Sequence, residues 1–278
     1  MAIAQQQHRE PEAQEIETRT VSTPCRECSA GIEYRQVRVL GRWVGSAPST
    51  CEDCNERHMR ASQEVARIQE EDRLRILREG RQARILDLLE EAGASPWEHG
   101  AARIEELDEP VRIAAESWVS AVLEAGRYDP VRSLYLWGPA GTGKSFAATA
   151  ILRALLLDPR VDPGQVVYDP ADVFVSRVRA LYGGRGDVDG FLRRRERARV
   201  WILDDLGREP DASDARSHLT LLVAQRALRP SIMTSNYAPS DFGRRRSGWE
   251  RVESRLGPAY VADIHLGGAD RRMQGRRR

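Results

Sequence analysis

Eight consecutive residues, Gly138-Pro139-Ala140-Gly141-Thr142-Gly143-Lys144-Ser145, carry the clearest chemistry in this 278-residue sequence. Their pattern, G-x-x-x-x-G-K-S, is that of a phosphate loop when a strand precedes it and a helix follows. Glycines let the backbone wrap closely, so that successive N–H groups point at phosphate oxygens. The helix that follows adds the partial positive charge of its N-terminus. Lys144 is suited to neutralising charge on β and γ phosphates, and the Ser145 hydroxyl to coordinating Mg²⁺. ATP binding and hydrolysis are the expectation. Lys144 is also the one lysine among 43 basic residues. The arginine bias looks like that of a GC-rich genome, and it spares the position where a compact ammonium is needed and a planar guanidinium would not fit.

A second element falls where such a site requires it. The apolar run Val200-Trp201-Ile202-Leu203 ends in Asp204-Asp205, which delivers two carboxylates to the carboxyl edge of a sheet, where ligands bind in open α/β folds. Asp204 is expected to hold Mg²⁺, directly or through water, and Asp205 to orient the attacking water as general base. A third apolar run, Ser231-Ile232-Met233-Thr234, ends in Ser235-Asn236. The Asn236 amide can reach the γ phosphate or the water. Downstream, Glu250 to Leu256 reads as a helix with Arg251 and Arg255 one turn apart. An arginine there that reaches a neighbouring subunit's γ phosphate would stabilise transition-state charge.

The four cysteines form two pairs, Cys25-x-x-Cys28 and Cys51-x-x-Cys54, separated by 22 residues. Each pair can hold a metal from one tight turn, and two pairs close a tetrahedral thiolate site. Thiolates select zinc or iron–sulfur over hard metals. Structural zinc is the expectation. The intervening Ile32 to Val44 alternates as a hairpin does, and Cys51 begins a helix.

These residues need elements to place them. Residues 1–22 are polar, Gln/Glu-rich and without apolar period, and read as a disordered N-terminus. Residues 23–60 form the zinc-binding module. Residues 61–94 read as a helical linker or partner-binding surface of one or two amphipathic helices, with Gly80 as the break. From residue 95 the pattern alternates helix and strand: helices over Val111–Ala125, Phe146–Leu157, Ala171–Tyr182 and Arg216–Leu228, strands over Ser133–Trp137, Gln165–Tyr168, Val200–Leu203 and Ser231–Thr234. Gly183 to Gly190 reads as a glycine-rich, mobile loop. Strands separated by helices imply a parallel, doubly wound α/β sheet. That domain spans 95–272, with a basic tail at 273–278.

Composition bounds the alternatives. Apolar residues make up 41% and charged residues 31%, which suits a folded chain with a heavily charged exterior. No run of eighteen apolar residues exists, and the N-terminus lacks a signal-peptide core, so a cytoplasmic protein with no membrane partner is expected. A net charge of +1 argues against a chain that is basic as a whole. Arginines nonetheless cluster at 193–195, 244–246 and 271–278, where local contact with phosphate is feasible.

Taken together, Gly138 to Ser145, Leu203-Asp204-Asp205-Leu206-Gly207, Arg229 to Asn236 and Glu250 to Leu256 resemble the AAA+ ATPases, specifically the DnaC-type helicase loaders and their IstB-like relatives. The resemblance covers about Ser95 to Arg272 and implies a P-loop AAA+ sheet flanked by helices. It implies sensor 1 at Asn236, the arginine finger at Arg255, and a sensor 2 arginine at Arg271 or Arg272. Asp205 stands where many AAA+ proteins carry glutamate, which fits slow, partner-stimulated turnover. It further implies single-stranded DNA contacts at Arg177 and Arg179, an ATP-dependent homo-oligomer, and a hexameric replicative helicase held through the N-terminal region. Two other readings stand beside the loader. One is an IstB-like transposition ATPase that binds duplex DNA and recruits a transposase. The other is a zinc-dependent DNA-binding regulator without ATPase activity. Whether the zinc module contacts protein or DNA is open at this level.

Overall fold

A computed structural model of the chain describes residues 17–126, 129–184, 186–210, 213–242 and 249–268. The chain divides into two compact units between Arg73 and Leu74. In the first unit, β1 (Thr18–Pro24), β2 (Gly31–Val39) and β3 (Arg42–Val44) form an antiparallel sheet in the order β1-β2-β3. Thr18 to Ser22 pair residue by residue with Val37 to Glu33. The expectation of disorder up to residue 22 is therefore corrected: alternating Thr20, Val21 and Ser22 have a partner strand, which a reading of the N-terminus by itself could not supply. Residues 1–16 lie outside the described residues.

Helix α1 (Glu52–Ala83) is continuous through Gly80. One glycine costs a helix about 1 kcal/mol, which the Glu–Arg pairs along the helix offset in part, at Glu64–Arg67, Arg67–Glu71 and Glu70–Arg73. The break comes instead at Arg84, whose backbone leaves the helical region. The Arg81 guanidinium donates to the carbonyls of Leu156, Asp158 and Val161 at 3.1, 2.5 and 2.9 Å.

The second unit is built on five parallel strands: β4 (Ser133–Trp137), β5 (Val166–Pro170), β6 (Val200–Leu206), β7 (Ser231–Ser235) and β8 (Val261–His265), in the order β5-β6-β7-β4-β8. The expected α/β class is what the chain adopts. β4, β6 and most of β5 are buried apolar runs because helices cover both faces. β7 is buried but carries Ser and Thr, and the edge strand β8 is partly exposed. One apolar layer gathers α2 (Ile85–Ala92), α4 (Glu109–Glu124) and α5 (Lys144–Leu157). The other gathers α6 (Ala171–Gly183), α8 (Ser213–Gln225) and α9 (Glu250–Arg255). Between them in sequence lie the short α3 (Pro96–His99) and α7 (Val188–Arg197).

Three expectations change here. Ile85, Leu88, Leu89 and Ala92 are buried in the first layer, so α2 belongs to the core of the second unit and not to a linker ending at residue 94. Gly183 to Gly190 is not one loop, because α7 begins at Val188, capped by the Asp187 carboxylate accepting from the Gly190 N–H at 2.7 Å. Strand β8 extends the sheet beyond the four strands expected.

Truncating Leu89, which is fully buried, to alanine is expected to lower stability by about 3 kcal/mol, measured by urea denaturation of the full chain. A loss below about 0.5 kcal/mol, the range of surface substitutions, would return α2 to a linker.

Candidate nucleotide site and cysteine cluster

Strand β4 ends at Trp137 and α5 begins at Lys144, so the glycine loop joins strand to helix as its pattern requires. Gly138 has φ 146°, and a Cβ there would lie 2.1 Å from the Leu266 carbonyl oxygen. Only glycine fits that slot. The Lys144 side chain is almost wholly buried, and its Nζ donates to the carbonyls of Gly138 at 2.9 Å and Pro139 at 2.7 Å. The Thr142 hydroxyl also donates to Pro139 O, at 2.9 Å.

Asp204 sits at the end of β6 and collects three hydroxyl donors. Ser145 Oγ reaches Oδ1 at 3.0 Å, Tyr168 OH reaches Oδ2 at 2.7 Å, and Thr234 Oγ1 also donates to Oδ1. Burial and the adjacent Asp204 carboxylate raise the Tyr168 pKa, so the phenol stays a donor. Beyond Leu203 the pairing of β6 with β7 bulges. Leu203 faces Met233 and Leu206 faces Ser235, so Asp204 and Asp205 together oppose Thr234. The bulge places Asp205 at φ 55°, a left-handed conformation that aspartate tolerates better than most residues. The Asp205 N–H donates to Thr234 Oγ1 at 2.8 Å. One threonine hydroxyl thus bridges both acids, accepting from one and donating to the other.

A cavity of about 420 Å³ opens over these groups, within the usual size of a small-molecule site. Ala140, Gly141, Gly143, Lys144 and Ser145 form its floor, and Asp205, Arg208 and Asn236 one wall. His99, Glu106 and Phe146 complete the lining. The rings of His99 and Phe146 meet edge to face with centroids 5.9 Å apart, a surface on which a planar heterocycle can pack. Burial and the neighbouring Asp204 raise the Asp205 pKa, while Arg208 and Lys144 act against the rise. Arg208 Nη1 lies 3.3 Å from Asp205 Oδ2.

The sequence-derived residues Gly138 to Ser145, Asp204, Asp205 and Asn236 therefore converge. Others do not. Arg255 lies with Ser133, Trp201 and Ser231 near the amino ends of the strands, its Nη1 donating to Tyr260 OH at 2.7 Å. Arg177 borders a shallow cavity with Arg194 and Arg195, and Arg179 is exposed outside it. Arg195 is held by Asp169 at 2.7 and 3.0 Å. Arg271, Arg272, the arginines at 244–246 and the tail at 273–278 lie outside the described residues. Sequence reasoning missed Tyr168, Thr234, His99, Glu106, Phe146 and Arg208. Of these, Thr234 lies within the Arg229–Asn236 motif, and Phe146 and Arg208 each follow directly on one.

In the first unit the four cysteines meet. Their sulfurs lie within 4.8 Å of one another, with Cys25 Sγ 3.8 Å from Cys54 Sγ and Cys28 Sγ 3.4 Å from Cys51 Sγ. Tetrahedral thiolates about 2.3 Å from a zinc ion stand about 3.8 Å apart, so the cluster fits that ion. Backbone N–H groups of Cys28, Cys51 and Glu27 lower the Cys25 pKa to about 6, whereas contact with the Cys51 thiol and burial raise Cys54 to about 12. Arg57 Nη2 donates to Cys54 Sγ at 3.0 Å.

The sequence matches no family model and no curated protein. Solved structures do align with it. One described as DnaI is 22% identical over 62% of this chain and 94% of that one, with a TM-score of 0.49. The DnaC helicase loader is 22% identical over 61% of this chain and 98% of its own, also at 0.49. AMPPCP-bound DnaA from Aquifex aeolicus is 20% identical over 62% of this chain and 52% of its own, at 0.46. The architecture is an α/β fold: a five-stranded parallel sheet flanked by helices, with the glycine loop after its second-from-edge strand. Among the described residues no helix is long and apolar enough to cross a membrane.

Replacing Thr234 with valine keeps the volume and leaves the Asp205 N–H and an Asp204 oxygen without their shared partner. The expected cost is about 1–3 kcal/mol, measured by urea denaturation. No change in stability would show that the bridge is dispensable.

Proposed function

We propose that this chain is an ATP-hydrolysing helicase loader, which binds single-stranded DNA and delivers a hexameric replicative helicase held by its N-terminal region. The observation that carries the nucleotide part is the Ser145 hydroxyl on the Asp204 carboxylate at 3.0 Å, facing a cavity floored by the phosphate loop and Lys144. A loop, a metal-holding hydroxyl and a strand-end carboxylate in this arrangement suit a nucleoside triphosphate with Mg²⁺.

The chain's residues divide the work. Loop N–H groups from Gly138 to Ser145 and the Lys144 ammonium hold the phosphates, and Ser145 and Asp204 would hold Mg²⁺. A magnesium ion there supplies neutralisation of phosphate charge. Asp205 orients the water and accepts its proton, which a carboxylate of raised pKa does better than an ordinary one. Asn236, exposed on the cavity wall, contacts the γ phosphate or the water. His99 and Phe146 take the base. Arg255 lies away from its own chain's cavity and serves a neighbouring subunit, so oligomerisation completes the site. Arg271 or Arg272 supplies sensor 2, and Arg177 and Arg179 contact DNA. The four-cysteine module ahead of the second unit supports the loader over the transposition reading. The cysteine cluster holds a structural zinc, because four thiolates fill its coordination.

Lys144→Ala is expected to abolish ATP turnover in a chain that still folds, checked by phosphate release and circular dichroism. Unchanged turnover would place the site elsewhere. Recovery of a transposase and no helicase by the wild-type chain would replace the loader reading by the IstB-like one. Freshly purified reduced protein is expected to carry one zinc per chain by elemental analysis, and Cys54→Ser to lose it together with the order of the first unit. Zinc-free protein with that unit folded would end the zinc assignment.

A further inference from the structure

The hairpin joining β2 to β3 breaks two rules at one residue. Val39 pairs with Arg42, leaving a two-residue turn of Leu40 and Gly41. Both have positive φ, 49° and 77°, as in the type I′ turns that favour Asn-Gly. Leucine in the left-handed region is strained, and asparagine would relieve that strain. Leu40 is also 99% exposed. Such local violations concentrate at functional sites.

The surroundings indicate what the tip fits. Val37 and Val39 share one face of β2, and Val44 lies opposite Val37. Val39 and Val44 are about half exposed, so the apolar surface runs from the tip along that face. Residues 35–45 contain Arg35, Arg38 and Arg42 and no carboxylate. Arg38 pairs with Glu17 at 2.8 Å. Arg35 and Arg42 lie on the face of the valines and have no ion-pair partner among the described residues. An aliphatic point between cations suits an apolar groove rimmed by carboxylates. It does not suit a base-stacking surface, which requires aromatic rings: the hairpin's Trp43 pairs with Arg38 on the opposite face and lies under the Arg19 guanidinium.

We propose that this hairpin tip is a protein-docking plug, with Leu40, Val39 and Val44 entering an apolar, acid-rimmed groove of a folded partner. The choice of probe rests on the helicase-loader reading. The test is equilibrium binding of the full-length chain to the hexameric replicative helicase of its host, by fluorescence anisotropy. Leu40→Asn puts the favoured residue into the turn, so it is expected to melt at or above the wild-type temperature with the same zinc content. It is nonetheless expected to bind about tenfold more weakly or worse, as loss of one buried leucine predicts. Val44→Thr is expected to weaken binding in the same sense, and Arg42→Glu to weaken it most at low salt. Wild-type affinity in Leu40→Asn would overturn the plug while leaving the loader reading intact. Reduced affinity for single-stranded DNA, or altered self-association, with helicase binding unchanged would also overturn it. A wild-type chain that binds no helicase would remove the loader reading and the plug's partner together.

Discussion

The second unit is organised around one carboxylate. Asp204 is buried and takes hydroxyl hydrogen bonds from α5, β5 and β7, through Ser145, Tyr168 and Thr234. A buried charge is tolerable only when its lone pairs are satisfied, and here each donor comes from a different element. Burial that would otherwise destabilise the fold fixes the relative positions of the phosphate-loop helix and three neighbouring strands. Hydrogen bonds to charged groups contribute about 1.5–3 kcal/mol each, enough for this site to matter to the stability of the unit as well as to its chemistry.

The bulge beside it assigns the two acids different tasks. Two aspartates facing a single threonine cannot both keep regular strand geometry. Asp204 stays in the interior, and Asp205 turns left-handed and lines the cavity. Thr234 stabilises that turn by accepting from the Asp205 N–H. The Asp205 carboxylate, nearer solvent, lies against Arg208 and lines the cavity. Asp204 ties neighbouring elements together, and Asp205 faces the cavity.

Much of this was legible in the sequence because phosphate loops and cysteine pairs are local devices. Gly138 to Ser145 bend a short stretch of backbone, and each Cys-x-x-Cys closes over one turn, so spacing alone carries the geometry. Asp204, Asp205 and Asn236 were legible because an apolar strand leads into each. Tyr168 was not. Its link to Asp204 spans 36 residues and depends on β5 lying next to β6, which no period in the sequence reveals. His99 and Glu106 precede the motifs by more than thirty residues and sit in short elements without amphipathic pattern. The N-terminal strand was missed for the converse reason: β1 is polar and gains its structure from pairing with β2.

Gly138 carries a consequence for how the site responds to its surroundings. Its missing side chain leaves room for the Leu266 carbonyl, while its N–H donates to Ser235 O at 3.2 Å and the Leu266 N–H donates to Trp137 O at 2.7 Å. The first residue of the phosphate loop is thus wedged between the ends of β7 and β8. Strand β8 is an edge strand, joined to the sheet along β4 alone, so one of its sides has no neighbouring strand to hold it. A force applied to β8 would be felt at the start of the phosphate loop one peptide away. The loop is in this sense a strain gauge for the rim of the sheet.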